Sequence, residues 1–220
     1  NKLSIFNNIS TYTFEHNNDL NSTKKYHHLI LSSDFYYNFN ENIKPRFKLI
    51  HHDNIYQSSN IINEDSNSLT FSYQNQYSDN RFFGSDARED TSRIVYGLET
   101  DFELKKQRFD LNLNQSYDLK KENNFSQKIN QKSYFSDYAI ESKTKFKNFH
   151  INLDMRIDKS SFAKKEMNIS LIKDNPLKIS LDYHETQKNA FSENSNDTEY
   201  LGIGLEKKIN DNFILAYSSN

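Results

Sequence analysis

From Phe109 to Leu119 the sequence alternates without interruption. Phe109, Leu111, Leu113, Gln115, Tyr117 and Leu119 occupy one phase, and Arg108, Asp110, Asn112, Asn114, Ser116 and Asp118 the other. A period of two puts the two sets on opposite faces of a strand. The preceding segment repeats the pattern, with Ile94, Tyr96, Leu98, Phe102 and Leu104 set against Arg93, Glu99, Asp101 and Glu103. Phe149, Ile151, Leu153, Met155 and Ile157 alternate with His150, Asn152, Asp154, Arg156 and Asp158. Leu177, Ile179, Leu181 and Tyr183 alternate with Lys178, Ser180, Asp182 and His184. Rougher alternation near residues 3–14, 26–39, 43–56, 68–78, 134–146, 166–172, 200–207 and 212–218 raises the expectation to roughly a dozen strands. Several run about 9–11 residues, the length that crosses a bilayer when tilted.

The polar phase sets the class. Sandwich strands average about 5–6 residues with turn signals every 8–12; here the strands are longer and Asp, Glu, Arg and Lys line whole faces. Only 35% of the residues are hydrophobic and the mean hydropathy is -0.93, values that by themselves suit a disordered chain. Yet there are 14 Tyr and 17 Phe, far too many aromatics for disorder. An ordered chain with one apolar and one wet face is an all-β, antiparallel transmembrane β-barrel, here a partial one, and the expected location is the cell outer membrane. Tyr12, Phe14, Tyr36, Tyr37, Tyr117 and Tyr134, near strand ends, are candidates for interfacial girdles.

The links support this. Short ones such as Lys105 to Gln107, Lys147 to Asn148 and Lys173 to Pro176 alternate with long polar ones such as Asp158 to Lys164 and Gln187 to Thr198. The alternation fails once: the links near residues 57–67 and 79–92 are both long, with one strand between them. One of the two is expected to be a periplasmic excursion or a segment folded into the lumen.

Other classes recede. A net charge of -2 offers no basic stripe, so no nucleic-acid partner is expected. There is no apolar run of 18 residues for a transmembrane helix. Without cysteine there is neither a disulfide framework nor thiolate chemistry. His27 and His28, like His51 and His52, are adjacent in strands and point to opposite faces, which argues against a metal site. No nucleophile elbow or paired-carboxylate arrangement stands out, so neither an enzyme nor a cofactor is expected. The chain starts without Met or a cleavable leader, and is read as an internal piece, residues 1–220, of a single barrel domain.

The irregular stretch carries a longer pattern: Asn63, Glu64, Asp65 and Ser66; a segment ending in Tyr77; then Arg81, Phe82, Gly84, Asp86 and Glu89; then Arg93, Tyr96, Gly97 and Leu98. In order and spacing over Ile62 to Glu99 this resembles the barrel domain of the LptD family, whose pattern has an acidic "NEDS" element, "RFxGxDRxE" and "RxxYGL". Ala87 stands where an arginine usually follows the aspartate, and the cysteines many members carry are missing. The resemblance implies lipopolysaccharide transport and insertion into the outer leaflet. It also implies an upstream periplasmic jelly-roll domain fed by an LptA-like bridge, and an LptE-like plug lipoprotein inside the barrel.

Physically, Gly84 permits φ > 0 or a close approach, and Gly97, inward on its strand, leaves room for a loop. Arg81 and Arg93 are suited to hold the carboxylates of Asp86, Glu89 and Asp90. Two roles fit this charge: a structural latch that pins a loop to the inner wall, or contact with lipopolysaccharide phosphates, the latch being preferred. Two other readings of the whole chain stay open. A porin-like channel or transporter would keep the fold, and a non-membrane β-rich surface protein would pack its apolar faces on each other.

Overall fold

A computed structural model describes residues 2–18, 22–57, 67–68, 72–83, 92–104, 107–119, 134–173, 177–187, 196–210 and 213–219. In chain order the elements are β1 (Lys2–Asn18), β2 (Ser22–Asn38), β3 (Ile43–Gln57), β4 (Asn67–Ser68), α1 (Tyr73–Gln76), β5 (Phe82–Phe83), β6 (Arg93–Leu104), β7 (Gln107–Asp118), β8 (Tyr138–Phe146), β9 (Phe149–Ile157), β10 (Lys164–Lys173), β11 (Lys178–Thr186), β12 (Thr198–Asn210) and β13 (Phe213–Ser219). Eleven strands form one antiparallel sheet in the order β1-β2-β3-β6-β7-β8-β9-β10-β11-β12-β13. It is the wall of a partial β-barrel, a meander in which each strand pairs with the one before it in the wall.

Register keeps like phases together. Leu98 lies opposite Leu113, Phe102 opposite Phe109, and Arg93 opposite Asp118. Glu141 lies opposite Asp154, and Ile140 opposite Met155. A slip of one residue would exchange the faces, so the charged phase itself fixes register.

The links sort by end. Those at 39–42, 105–106, 147–148, 174–177 and 211–212 share one end of the wall. Those at 19–21, 58–92, 119–137, 158–163 and 187–197 share the other. Apart from 19–21, the second set is the longer, the asymmetry of periplasmic turns and outer loops. The two-residue turn at Lys147 and Asn148 is tight enough that Lys147 takes a φ of 51°.

The expected strand over 68–78 is absent. Tyr73–Gln76 is a single helical turn, capped where the Ser72 hydroxyl accepts from the Asn75 amide at 3.2 Å. Among the described residues of this stretch, Asn67–Ser68 and Phe82–Phe83 are the extended ones, and they pair with each other. Residues 58–92 are therefore one excursion from the long-loop end, and the strand alternation is unbroken.

Burial is inverted relative to a soluble globule. Leu31, Leu49, Leu98, Leu111, Leu113, Ile151, Leu181 and Ile203 are exposed, whereas Asp34, Lys48, Arg93, Asn114, Asp118, Glu141 and Arg156 are buried. Such a broad exposed apolar surface suits a membrane rather than water. No second sheet packs on these rows among the described residues, which removes the support for a β-rich surface protein with meshed apolar faces. Tyr36, one of the girdle candidates, points the other way: Arg46 lies over its ring at 4.6 Å, on the polar face.

Candidate functional site

The polar face would be costly to bury without partners, and the Ser72–Phe83 segment supplies them. Tyr73 and Tyr77, four apart on one side of the turn, pack with Ile30 of β2, Ile50 of β3, Val95 of β6 and Ala139 of β8 in a small buried cluster. Polar contacts surround that cluster. The Asn114 amide donates to the Tyr73 carbonyl at 2.7 Å, and the Tyr73 hydroxyl to Glu99 at 2.7 Å. The Gln74 amide donates to Glu141 at 2.8 Å, and the Gln76 amide to the Asp137 carbonyl at 3.3 Å.

Charge holds the exit of the turn. Lys48 donates to the Tyr77 carbonyl at 2.7 Å and pairs with Asp79 at 2.7 Å; the far oxygen of Asp79 accepts from Asn8 of β1, also at 2.7 Å. Burial alone would raise the Asp79 carboxyl, but the Lys48 hydrogen bond and charge outweigh it and hold the carboxyl below its ordinary value. Burial pushes the Tyr73 and Tyr77 phenols well above theirs, which suits the neutral Tyr73 hydroxyl to its donation to Glu99. Arg46 binds Asp34 through two nitrogens at 3.1 and 2.7 Å and Glu99 at 3.1 Å, with its guanidinium 3.8 Å above the Tyr77 ring. Arg81 meets Asp118 at 3.1 Å, both almost fully buried, and Arg93 donates to the Ser78 carbonyl. Removing one member of such a buried pair typically costs about 3–5 kcal/mol.

Gly97 lies where the segment comes closest. A Cβ built there would sit 2.6 Å from the Tyr77 hydroxyl and 2.8 Å from the Asn114 Cβ.

Of the residues singled out by sequence, Arg81, Arg93 and Gly97 gather at this contact. Tyr96 lies on the opposite, exposed face, its hydroxyl donating to Gln115 at 2.5 Å. Phe82 contributes its backbone to the β4–β5 pairing. Asn63, Glu64, Asp65, Ser66, Gly84, Asp86, Glu89 and Asp90 lie outside the described residues. Sequence reading missed Lys48, Arg46, Tyr73, Gln76 and Asp118. For Arg46 and Lys48 the local signal was a cation on an inward phase.

The histidines divide as their parity requires, His51 exposed and His52 buried, but His52 meets His28 of the neighbouring strand at 3.0 Å. Among the described residues no group of three or more His, Cys, Asp or Glu could hold a metal.

A second ion network ties down the 134–137 return. Arg156 pairs with Asp137 at 2.7 Å, and Lys165 with Asp137 at 2.9 Å and Asp158 at 2.6 Å. Lys165 is the extra residue of a β-bulge between Lys164 and Glu166, which re-aims its side chain toward that end.

The family model for LptD, described as LPS transport system D, matches residues 4–213. The chain belongs to the LptD family. LptD proteins act in lipopolysaccharide transport at the outer membrane, as transport and assembly proteins rather than enzymes, together with other Lpt components. The match runs from the start of β1 through β12 to the first residue of β13, and includes the inner segment between β3 and β6. A search of curated proteins found no match to this LptD chain.

Proposed function

We propose that this chain is part of the barrel of a translocon that inserts lipopolysaccharide into the outer leaflet without covalent chemistry, and that its inner segment is a latch. The observation that carries the latch is the Arg81–Asp118 pair: two almost fully buried charges that join the segment to β7. At the two ends of the segment, Asn67 pairs with Phe83 and Ser68 with Phe82 in the short β4–β5 ladder.

The remaining partners follow from the family. Lipopolysaccharide arrives through a periplasmic jelly-roll domain upstream, supplied by an LptA-like bridge. An LptE-like lipoprotein occupies the polar face beyond the latch, where Asn152, Asp154, Asn168 and Asp182 of β9 to β11 remain half-buried.

The test is the double variant Arg81→Ala, Arg93→Ala in the intact protein. Faster proteolysis within residues 72–83 and reduced lipopolysaccharide export are expected. Unchanged protease resistance with normal export would remove the latch.

A further inference from the structure

On the exposed face, two neighbouring rows of cross-strand partners enclose a trough of about 410 Å³. One wall follows the ladder from Phe35 to Phe47, Tyr96 and Gln115, and ends at Tyr138 on β8. The other pairs Leu3 with Tyr37 at one end, then Pro45 with Leu98 and Leu98 with Leu113. The residues between the rows, Arg46, Gly97 and Asn114, form the floor. The Arg46 and Asn114 side chains belong to the polar face, and the Arg46 guanidinium is held there by Asp34 and Glu99. Pro45 has no N–H for a ladder, and the β2–β3 pairing ends beside it at Tyr36–Arg46.

Gln115, the polar exception on an apolar row, has its amide engaged on both sides. It is only 6% exposed, its amide oxygen accepting from Tyr96 and its nitrogen donating to the Ser136 carbonyl at 2.9 Å. The lining is therefore almost wholly apolar.

Dimensions choose the occupant. Rows two residues apart on one face are about 6.7 Å apart, and crossing six strands at about 4.8 Å spacing gives a length of about 24 Å. A helix is about 10–12 Å across, and a packed second sheet needs about 10 Å. An extended polymethylene chain fits both the width and the length. We propose that the trough binds one acyl chain of a membrane phospholipid, held across β1 to β8 longer than the lipids around it. This rests on the outer-membrane reading above. The wall separates the chain from material moving along the polar face, which favours phospholipid over lipopolysaccharide as its source.

Residues 1–220 contain no tryptophan, so single reporters can be introduced here once any tryptophan elsewhere in the intact protein is replaced by phenylalanine. Tyr37→Trp at the trough and Ile151→Trp on the exposed face of β9 would be compared with the parent in the intact protein, in phosphatidylethanolamine–phosphatidylglycerol vesicles carrying a minor fraction of phospholipid with brominated acyl chains. Heat-modifiable gel migration checks the folding of each, and Leu3→Trp replaces Tyr37→Trp if that variant does not fold. Half-maximal quenching of the trough reporter is expected at a brominated fraction at least threefold lower than for Ile151→Trp. Filling the trough with Leu98→Phe and Leu113→Phe should abolish the difference. Equal sensitivity of the two reporters overturns the proposal. Selective relief of quenching by added lipopolysaccharide overturns the phospholipid assignment. Absence of quenching at both positions overturns the membrane reading itself.

Discussion

At Gly97 the absence of one carbon decides how close the inner segment can come. An alanine methyl would meet the Tyr77 hydroxyl at 2.6 Å and the Leu113 carbonyl of the next strand at 2.3 Å, and a ladder carbonyl cannot withdraw without breaking its own pairing. Overpacking of this kind costs about 1–3 kcal/mol. Gly97→Ala is therefore expected to lower the unfolding free energy by that amount, read as a lower urea midpoint, and to expose residues 72–83 to protease. An unchanged midpoint would mean that Tyr77 is not held against β6. Arg46 shows a related economy of position: one guanidinium satisfies two carboxylates and covers two aromatic rings, which fixes Tyr77 from the other side.

At the scale of elements, the inner segment has little secondary structure of its own, and its attachment depends on charge. Asp79 is the titrating member. Its carboxyl is held below the ordinary value of about 3.9, so its contribution is complete above that value and is lost as the pH falls through the lowered folded value. Cleavage within residues 72–83 should be the same at pH 7 and pH 5 and rise below about pH 4, while Asp79→Asn should show raised cleavage at pH 7 already and a smaller further rise in acid. A variant with an unaltered acid response would move the titration elsewhere.

This element is also where the sequence misled. Leu69, Phe71, Tyr73 and Tyr77 occupy one phase of an apparent strand, but Tyr73 and Tyr77 are equally four apart on a helix, and a short window cannot separate the two periods. The Ser72 cap was the available sign of a turn. Strands with mostly polar and charged residues along one phase, β6, β7 and β9, were legible because one side must be wet. Asp118, thirty-seven positions after Arg81, was not, because nothing local marks which carboxylate an arginine will find.

For the whole molecule, the governing physics is the choice of solvent on each side of one sheet. Rows led by Leu98, Leu113 and Ile151 stay exposed, the opposite rows carry buried ions, and among the described residues the buried apolar cluster lies between the polar wall and its own inner segment. In water this arrangement would expose an aggregating surface; in an outer membrane each face meets a medium that matches it. Nitroxides placed one at a time along β9, from Phe149 to Ile157, in the intact protein in bilayers would read that directly; residues 1–220 have no native cysteine, and any cysteine elsewhere is replaced by serine first. Oxygen accessibility should peak at Phe149, Ile151, Leu153 and Met155, with a polar nickel reagent peaking out of phase at His150, Asn152 and Asp154. Uniformly low accessibility at the apolar positions, or the two reagents peaking in phase, would contradict a wall with hydrocarbon on one side and water on the other.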